Sequence, residues 1–446
     1  MNYVQKDLKY IWHPCSQMKD YEDLPPIIIE KASGSMLYDI NGKRYIDIVA
    51  SWWCNLFGHC NSRINGAVKT QLDVLEHVIF ANFSHKGAVD YAERLLPLLP
   101  KGLKKLHFSD NGSSVVECAL KMSFQYQMQK GFINKKKFMC LSEGYHGETI
   151  GALSVGSMDV FTEIYKPLLV DAARIKAPDC YRCPYGQNRE NCSCECAEDA
   201  RKTFEACGAE TCALILEPLL QGAAGMRMYP AGYLRILRGL CDSYGVLLIA
   251  DEIATGFGRT GALFACSLAG VSPDLMCLSK SITGGYMPFS VLAVTQAVYD
   301  AFYADYSEGK AFMHSHTFAG NPLGCAAANA ALDIFETENV LEKSAETALW
   351  LKTYLRSELG GHPNIGEIRQ IGLINALELV ADKQTKTAFP PKHRTGYRIY
   401  KKALDLGLLL RPLGDVLYFN PALNIEKETL KEAVYLCKKA IEQVLH

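Results

Sequence analysis

Two short apolar runs in this chain end on groups that can do chemistry together. The run 246–250 leads into Asp251 and Glu252, and Leu275–Leu278 leads into Ser279 and Lys280. Runs of this length, bounded by turn signals, suit buried parallel strands. An open α/β sheet binds its ligands at the carboxyl ends of such strands, so Asp251 and Lys280 are placed to face one crevice. An amine and a carboxylate there suit pyridoxal phosphate: the lysine bonds covalently to the aldehyde, and the aspartate keeps the pyridine nitrogen protonated and the ring an electron sink. Taken singly, each reads more simply as an ordinary strand-end acid and a surface lysine. Gly256, Gly258 and Gly261 also spell G-x-G-x-x-G, with Asp274 beyond them. The context argues against a dinucleotide site, because several residues separate the strand from the first glycine and Asp274 opens a strand instead of closing one.

Other candidates lie at corresponding turns. After a short strand at 106–108, the turn 109–114 leads into a helix ending near Gln129, so Gly112 and Ser113 stand where free N–H groups and the positive end of a helix dipole suit a phosphate. Capping of that helix by Ser113 or Ser114 is the competing reading. Tyr145, in the turn 144–149 after a strand at 138–141, offers an aromatic face to a pyridine ring or to ordinary packing. Arg411 ends an apolar run, a placement suited to bidentate capture of a carboxylate or to a structural ion pair. Trp52 and Trp53 anchor a core or wall an apolar pocket, and the sequence leaves both open. Cys180, Cys183, Cys192, Cys194 and Cys196 put enough thiolates within reach for zinc or an iron–sulfur cluster. Their spacing fits no standard knuckle, and they read as reduced thiols in an inserted loop. His314 and His316 lack a nearby third ligand, so no metal site is expected.

The elements that must position these residues fall into a simple order. With 446 residues, 49% hydrophobic and 21% charged, the chain is long enough for more than one domain. A formal net charge of −1 gives no reason to expect nucleic acid or an anionic membrane as partner. The start carries charges where a signal peptide needs an apolar core, no run of 18 apolar residues occurs, and 17 cysteines fall below the density of a disulfide scaffold. A cytoplasmic enzyme with mostly reduced thiols is expected. A strand at 27–29 precedes a hairpin around Asn41-Gly42, between 36–38 and 45–48. Helices at 64–78 and 89–99, then strands at 106–108, 138–141 and 212–216 alternating with helices through Lys280, predict a doubly wound, mainly parallel α/β sheet. Beyond residue 325 come a long helical region (325–359), a strand at 371–379, a helix at 396–406, strands at 408–414 and 416–419, and a helix from Lys427. The predicted division is 1–60 contributing to a small domain, 61–325 as the large α/β domain, and 326–446 as the rest of a small α+β domain built from both chain ends.

Read together, these residues resemble one family over nearly the whole chain. The run 251–261 (DEIATGFGRTG), Ser279-Lys280, and His316-Thr317 with Gly320-Asn321-Pro322 resemble the class III, fold-type I, pyridoxal phosphate-dependent aminotransferases. Within that class Trp12-His13-Pro14, Ser51-Trp52-Trp53, the runs 144–147 and 226–229, and Arg411-Pro412 resemble the branch of biotin biosynthesis that aminates 7-keto-8-aminopelargonate, normally from S-adenosylmethionine. The resemblance implies that Lys280 holds the cofactor and moves a proton, Asp251 keeps the pyridinium charged, and Tyr145 stacks on the ring. It implies that Gly112 and Ser113 bind the phosphate from one subunit and Thr317, beside His316, from the other. A homodimer with active sites at its interface follows, acting on small molecules, a keto-amino acid and an amino donor. Trp52 and Ser315 are expected at the substrate, Arg411 on its carboxylate, and Glu217 near the cofactor.

Three departures stand out from that branch. Cys15 occupies the substrate-recognition position where tyrosine usually follows Trp-His-Pro, Glu148 replaces an aspartate, and Ser315-His316 replaces Gly-Pro. The last segment, with 411–416, resembles enzymes that take lysine as donor, so the same reaction from lysine stays open. So does another class III ω-aminotransferase, for instance of 4-aminobutyrate, although the Trp-Trp pair and the N-terminal segment speak against it.

Overall fold

In the computed structural model, which describes residues 1–445, seven strands form one sheet. Their spatial order is Leu103–Ser109, Ser290–Thr295, Leu275–Leu278, Leu247–Asp251, Thr211–Leu216, Lys137–Leu141 and Ala172–Ile175. The last five run parallel. Ser290–Thr295, which the sequence reading did not foresee, is antiparallel to both of its neighbours. Every residue of Thr211–Leu216, Leu247–Asp251 and Leu275–Leu278 is buried, which is why these segments are continuous apolar runs without alternation. The helix Gly112–Gln129 lays Val115, Val116 and Ala119 against this sheet, beside Ile249, Cys277 and Leu292. Because Asp251 pairs with Cys277 in a parallel register, the ends of those two strands point the same way. That register brings Asp251 and Lys280 to one edge of the sheet.

The two ends of the chain meet in a second sheet. Ile29–Ser33, Met36–Asp39 and Arg44–Asp47 are antiparallel in turn, and Leu408–Leu409 pairs in parallel with Arg44–Asp47. The predicted turn at Asn41-Gly42 is closed by the Asp39 carboxylate, which accepts the N–H groups of Asn41 and Lys43 at 2.9 Å each. A third sheet comprises Ile365–Ile371, Ile374–Leu379 and Val416–Phe419. Ile46, Ile48 and Trp53 from the start of the chain share one core with Leu351, Leu377, Phe419 and Val434 from its end.

Several boundaries differ from the sequence reading, each for a local reason. The first strand begins at Ile29, not Ile27. The helix expected at 64–78 is Ser62–Leu72, capped by the Asn61 side chain, and that at 89–99 is Lys86–Leu95 followed by the 3₁₀ turn Leu96–Leu98. The region 325–359 is two helices, Pro322–Glu338 and Val340–Leu359, broken at Asn339, whose φ is +50°. The run 408–414 narrows to Leu408–Leu409, since Pro412 has no N–H for a ladder. The strand expected at 371–379 is the second arm of a hairpin, Ile374–Leu379, turned at Gly372 with φ +53°. Among the described residues no helix is long and apolar enough to cross a membrane.

Gly372 is where this hairpin meets the large sheet's loops. A Cβ at that position would lie 2.4 Å from the carbonyl carbon of Thr260 and 2.5 Å from the Gly261 nitrogen. Both are backbone atoms, and the positive φ adds its own strain for any side chain. Gly372→Ala is expected to lower the unfolding free energy by about 2–4 kcal/mol, read from the midpoint of chemical denaturation. A midpoint equal to wild type would show that the hairpin does not press on the 259–261 loop.

Candidate active site

Asp251 is the last residue of its strand and is buried. One carboxylate oxygen accepts the Ile253 N–H at 3.1 Å, and the other meets His146 Nδ1 at 2.7 Å. His146 is buried as well, and among the described residues its Nε2 has no hydrogen-bond partner, so its ring is linked through Nδ1 to Asp251. The sequence alone gives His146 no role. Lys280 follows the neighbouring strand with φ +45° and has its Nζ 5.3 Å from the centre of the Trp53 ring. Burial lowers its pKa, an effect opposed by the negative fields of Asp251 and Glu217. An amine so placed is neutral, and therefore nucleophilic, more often than an exposed lysine.

Glu217 completes this buried group. Its two oxygens accept the N–H groups of Tyr145 at 3.2 Å and Gly222 at 2.7 Å. Burial, reinforced by the charge of Asp251, pushes its pKa up to about 7, against the opposing pull of His146 and those N–H donors. Glu217 thus ties the tyrosine-bearing turn to the strand end that precedes it.

The turn after Leu103–Ser109 forms a cradle. Asn111, rather than Ser113 or Ser114 as in the competing reading, caps the helix Gly112–Gln129 by accepting the Ser114 N–H at 3.0 Å. The N–H groups of Gly112 and Ser113 have no partner within the helix. Ser113 Oγ instead lies 2.7 Å from Thr149 Oγ1 and accepts the Thr149 N–H at 3.0 Å. Gly147 passes so close that a Cβ there would sit 2.4 Å from Ser113 Oγ. A reactive amine, a buried carboxylate, an aromatic ring and a helix N-terminus are the groups pyridoxal phosphate requires, and the residues present fit it.

At the mouth of the site the two tryptophans divide their roles. Trp53 is buried and donates its indole N–H to Tyr418 Oη at 2.9 Å, while Trp52 is 42% exposed. The Arg411 guanidinium stacks 4.4 Å from the centre of the Trp52 ring, and its one hydrogen bond is to the Cys15 carbonyl at 3.4 Å. Among the described residues no carboxylate pairs with it, in contrast to the structural ion pair of the competing reading. Tyr145 donates its hydroxyl to Glu148 at 3.0 Å, and Cys15 donates its thiol to the same oxygen at 3.4 Å. Burial and the Glu148 carboxylate raise the pKa of both donors. Cys15 and Glu148, 133 residues apart, therefore touch each other.

Other candidates fall elsewhere. His316 pairs with Asp110 at 2.8 Å beside the cradle, whereas Ser315 and Thr317 are exposed. His314 faces Lys121 Nζ at 3.0 Å. The glycine-rich loop packs inward, with Gly258 against Leu341 and Leu423, and Asp274 binds Arg238 and the Leu248 N–H, so neither serves a dinucleotide. Cys180, Cys192 and Cys196 pack against an apolar core while Cys194 is buried in it, and no metal-binding group occurs among the described residues.

The raised pKa of Glu217 has a measurable consequence. The unfolded chain loses this proton near the ordinary 4.5 and the folded chain near 7, so the group's contribution to stability declines as pH rises across that window. Glu217→Gln removes the decline. Relative to wild type the variant should gain up to about 3 kcal/mol between the ends of the window, measured by denaturant unfolding at several pH values. A difference independent of pH would place the proton on another group.

The family model for Aminotransferase class-III matches residues 17–441. The chain is 44% identical to adenosylmethionine-8-amino-7-oxononanoate aminotransferase of Geobacter sulfurreducens, over 98% of this chain and 97% of that one. The crystal structure of adenosylmethionine-8-amino-7-oxononanoate aminotransferase from Methanocaldococcus jannaschii superposes with a TM-score of 0.93 at 37% identity, covering 99% of this chain and 98% of the other. The omega transaminase from Pseudomonas jessenii, in complex with PMP, gives a TM-score of 0.95 at 30% identity over 100% and 98%. With its amine and carboxylate meeting at the edge of the parallel sheet, the chain belongs to the class III aminotransferases.

Proposed function

We propose that this aminotransferase converts 7-keto-8-aminopelargonate to 7,8-diaminopelargonate, a step of biotin biosynthesis, with S-adenosylmethionine as amino donor. The observation that carries this reading is Arg411, a guanidinium without an acidic partner among the described residues, lying on the Trp52 ring at 4.4 Å. It is a site for a carboxylate at the far end of a substrate whose other end reaches Lys280. The names and full-length similarity of the Geobacter and Methanocaldococcus proteins support the same reaction.

Pyridoxal phosphate, when bound, supplies the aldehyde that receives the amino group and the pyridinium that accepts electron density. Lys280 holds the cofactor and, as a free amine, moves the proton at the substrate carbon. Asp251, backed by His146, keeps the ring nitrogen protonated. Tyr145 covers the ring face, and Glu148 fixes its hydroxyl. Gly112 and Ser113 take the phosphate from one side. In this reading a homodimer completes the site, with the partner subunit's Thr317 on the phosphate and its His316 and Ser315 beside cofactor and substrate. Trp52 lines the substrate channel, next to Cys15. The site then lies between a large domain (61–325) and a small one built from 1–60 and 326–446, in a cytoplasmic enzyme. Lysine is the alternative donor, favoured by Ser315-His316 where the adenosylmethionine-dependent pattern has Gly-Pro.

The test is a half-reaction on protein loaded with cofactor, followed through the cofactor's visible absorption. Bleaching by S-adenosylmethionine, reversed by 7-keto-8-aminopelargonate, is expected. Bleaching by lysine with the same reversal keeps the step and changes the donor, and bleaching by 4-aminobutyrate alone sinks the biotin assignment. Arg411→Ala should weaken the keto substrate by about 2–5 kcal/mol, seen in KM. An unchanged KM moves the carboxylate site elsewhere. Lys280→Ala should abolish turnover while cofactor still binds without covalent attachment, and substantial residual turnover would identify the wrong lysine.

A further inference from the structure

The chain from Ala50 to Trp53 is a left-handed turn. The φ values of Ala50, Ser51, Trp52 and Trp53 are +48°, +52°, +87° and +72°, and none of the four is glycine, asparagine or aspartate. In that conformation each Cβ crowds the following carbonyl oxygen, and ordinary residues adopt it singly, not in runs. Such a run persists only where its surroundings over-determine it.

The surroundings here are specific. Asp47 closes the turn from its N–H side: one oxygen accepts the Val49 N–H at 3.1 Å, and the other accepts both the N–H and the hydroxyl of Ser51, at 2.9 and 3.1 Å. His59 Nε2 meets that second oxygen at 2.9 Å, while its Nδ1 lies 2.9 Å from the Asn55 amide nitrogen. Since the amide donates to Nδ1, Nε2 carries the proton that Asp47 receives. From the carbonyl side, the buried Arg259 donates to the backbone oxygens of Trp53 and Asn55, at 3.3 and 3.2 Å, and to Ser281 Oγ, next to Lys280, at 3.2 Å. Asp47 also pairs with Leu409 in the parallel ladder, so the segment that carries Arg411 departs from beside it. One end of the turn is thus tied to the lysine loop and the other to the arginine segment.

We propose that Asp47, oriented by His59, is a positioning residue for substrate recognition: it locks the left-handed turn that sets Trp52 beneath Arg411, and so fixes how far from Lys280 a substrate carboxylate sits. The inference rests on the reading of Arg411 as the carboxylate site. Asp47 touches neither cofactor nor substrate in this account. A chain of the right length is accepted because the two anchor points cannot drift apart.

Asp47→Asn keeps the size of the side chain but turns an amide toward donors. It should raise KM for 7-keto-8-aminopelargonate at least tenfold and change kcat less than threefold, as expected when binding common to ground and transition states is lost. In combination with Arg411→Ala it should add little, because both act at one place. The distinctive expectation is rescue: adding Ser51→Gly to Asp47→Asn should recover most of the loss, since glycine holds φ +52° without support. An unchanged KM, full additivity with Arg411→Ala, or no rescue would each overturn the proposal. If Asp47→Asn does not fold, His59→Ala keeps the carboxylate and removes its support. It should raise KM threefold or more with the same rescue, and an unchanged KM there is equally fatal. A wild type inert toward this substrate would defeat the biotin reading alone. The turn is then read in cofactor-free protein by near-ultraviolet circular dichroism of the tryptophans, which Asp47→Asn should alter and Ser51→Gly restore; an unaltered spectrum would overturn it.

Discussion

A carboxylate and an amine buried within one crevice are costly unless each has a reason to be there, and the parallel register of two central strands imposes that arrangement. Asp251 pairs with Cys277, so Lys280, three residues on, emerges on the same edge. Asp251 keeps its place through His146 and the Ile253 N–H. The remaining side chains of the site are arranged around that pair. Glu217, raised to a pKa of about 7, binds the backbone of Tyr145 and so connects the turn that carries this tyrosine to the same buried group.

The tryptophan pair is built on a different constraint. Two buried charged groups here serve backbone conformation: a turn that four ordinary residues resist is held by Asp47 on one side and Arg259 on the other. Trp53 then packs in the core that joins the two chain ends, with its indole N–H on Tyr418, while Trp52 is left to carry the Arg411 guanidinium. The lysine loop and the left-handed turn meet at Ser281, which Arg259 binds immediately after the lysine.

Cys15 and Glu148 meet although they lie far apart in the chain. The Cys15 thiol and the Tyr145 hydroxyl donate to the same Glu148 carboxylate oxygen, at 3.4 and 3.0 Å, so one acceptor orders both donors.

Much of this was legible in the chain itself. Continuous apolar runs ending on Asp251 and on Lys280 report buried parallel strands because both faces of such strands are covered, and that pattern is local. The Asn41-Gly42 hairpin and the helix after Gly112 are local for the same reason. What only the tertiary structure decided depends on segments far apart in sequence: Cys15 and Glu148 stand 133 residues apart, His146 and Asp251 105, and Arg259 and Trp53 206. The contact of Gly372 with the 259–261 loop and the division of labour between Trp52 and Trp53 belong with them. Composition and periodicity record which face of an element is apolar, but which backbone atoms a side chain will meet is set by packing: Asp47 lies only four residues before Ser51, yet nothing in its type announces a left-handed turn of non-glycine residues, and the Arg259 that closes the other side comes from 206 residues away.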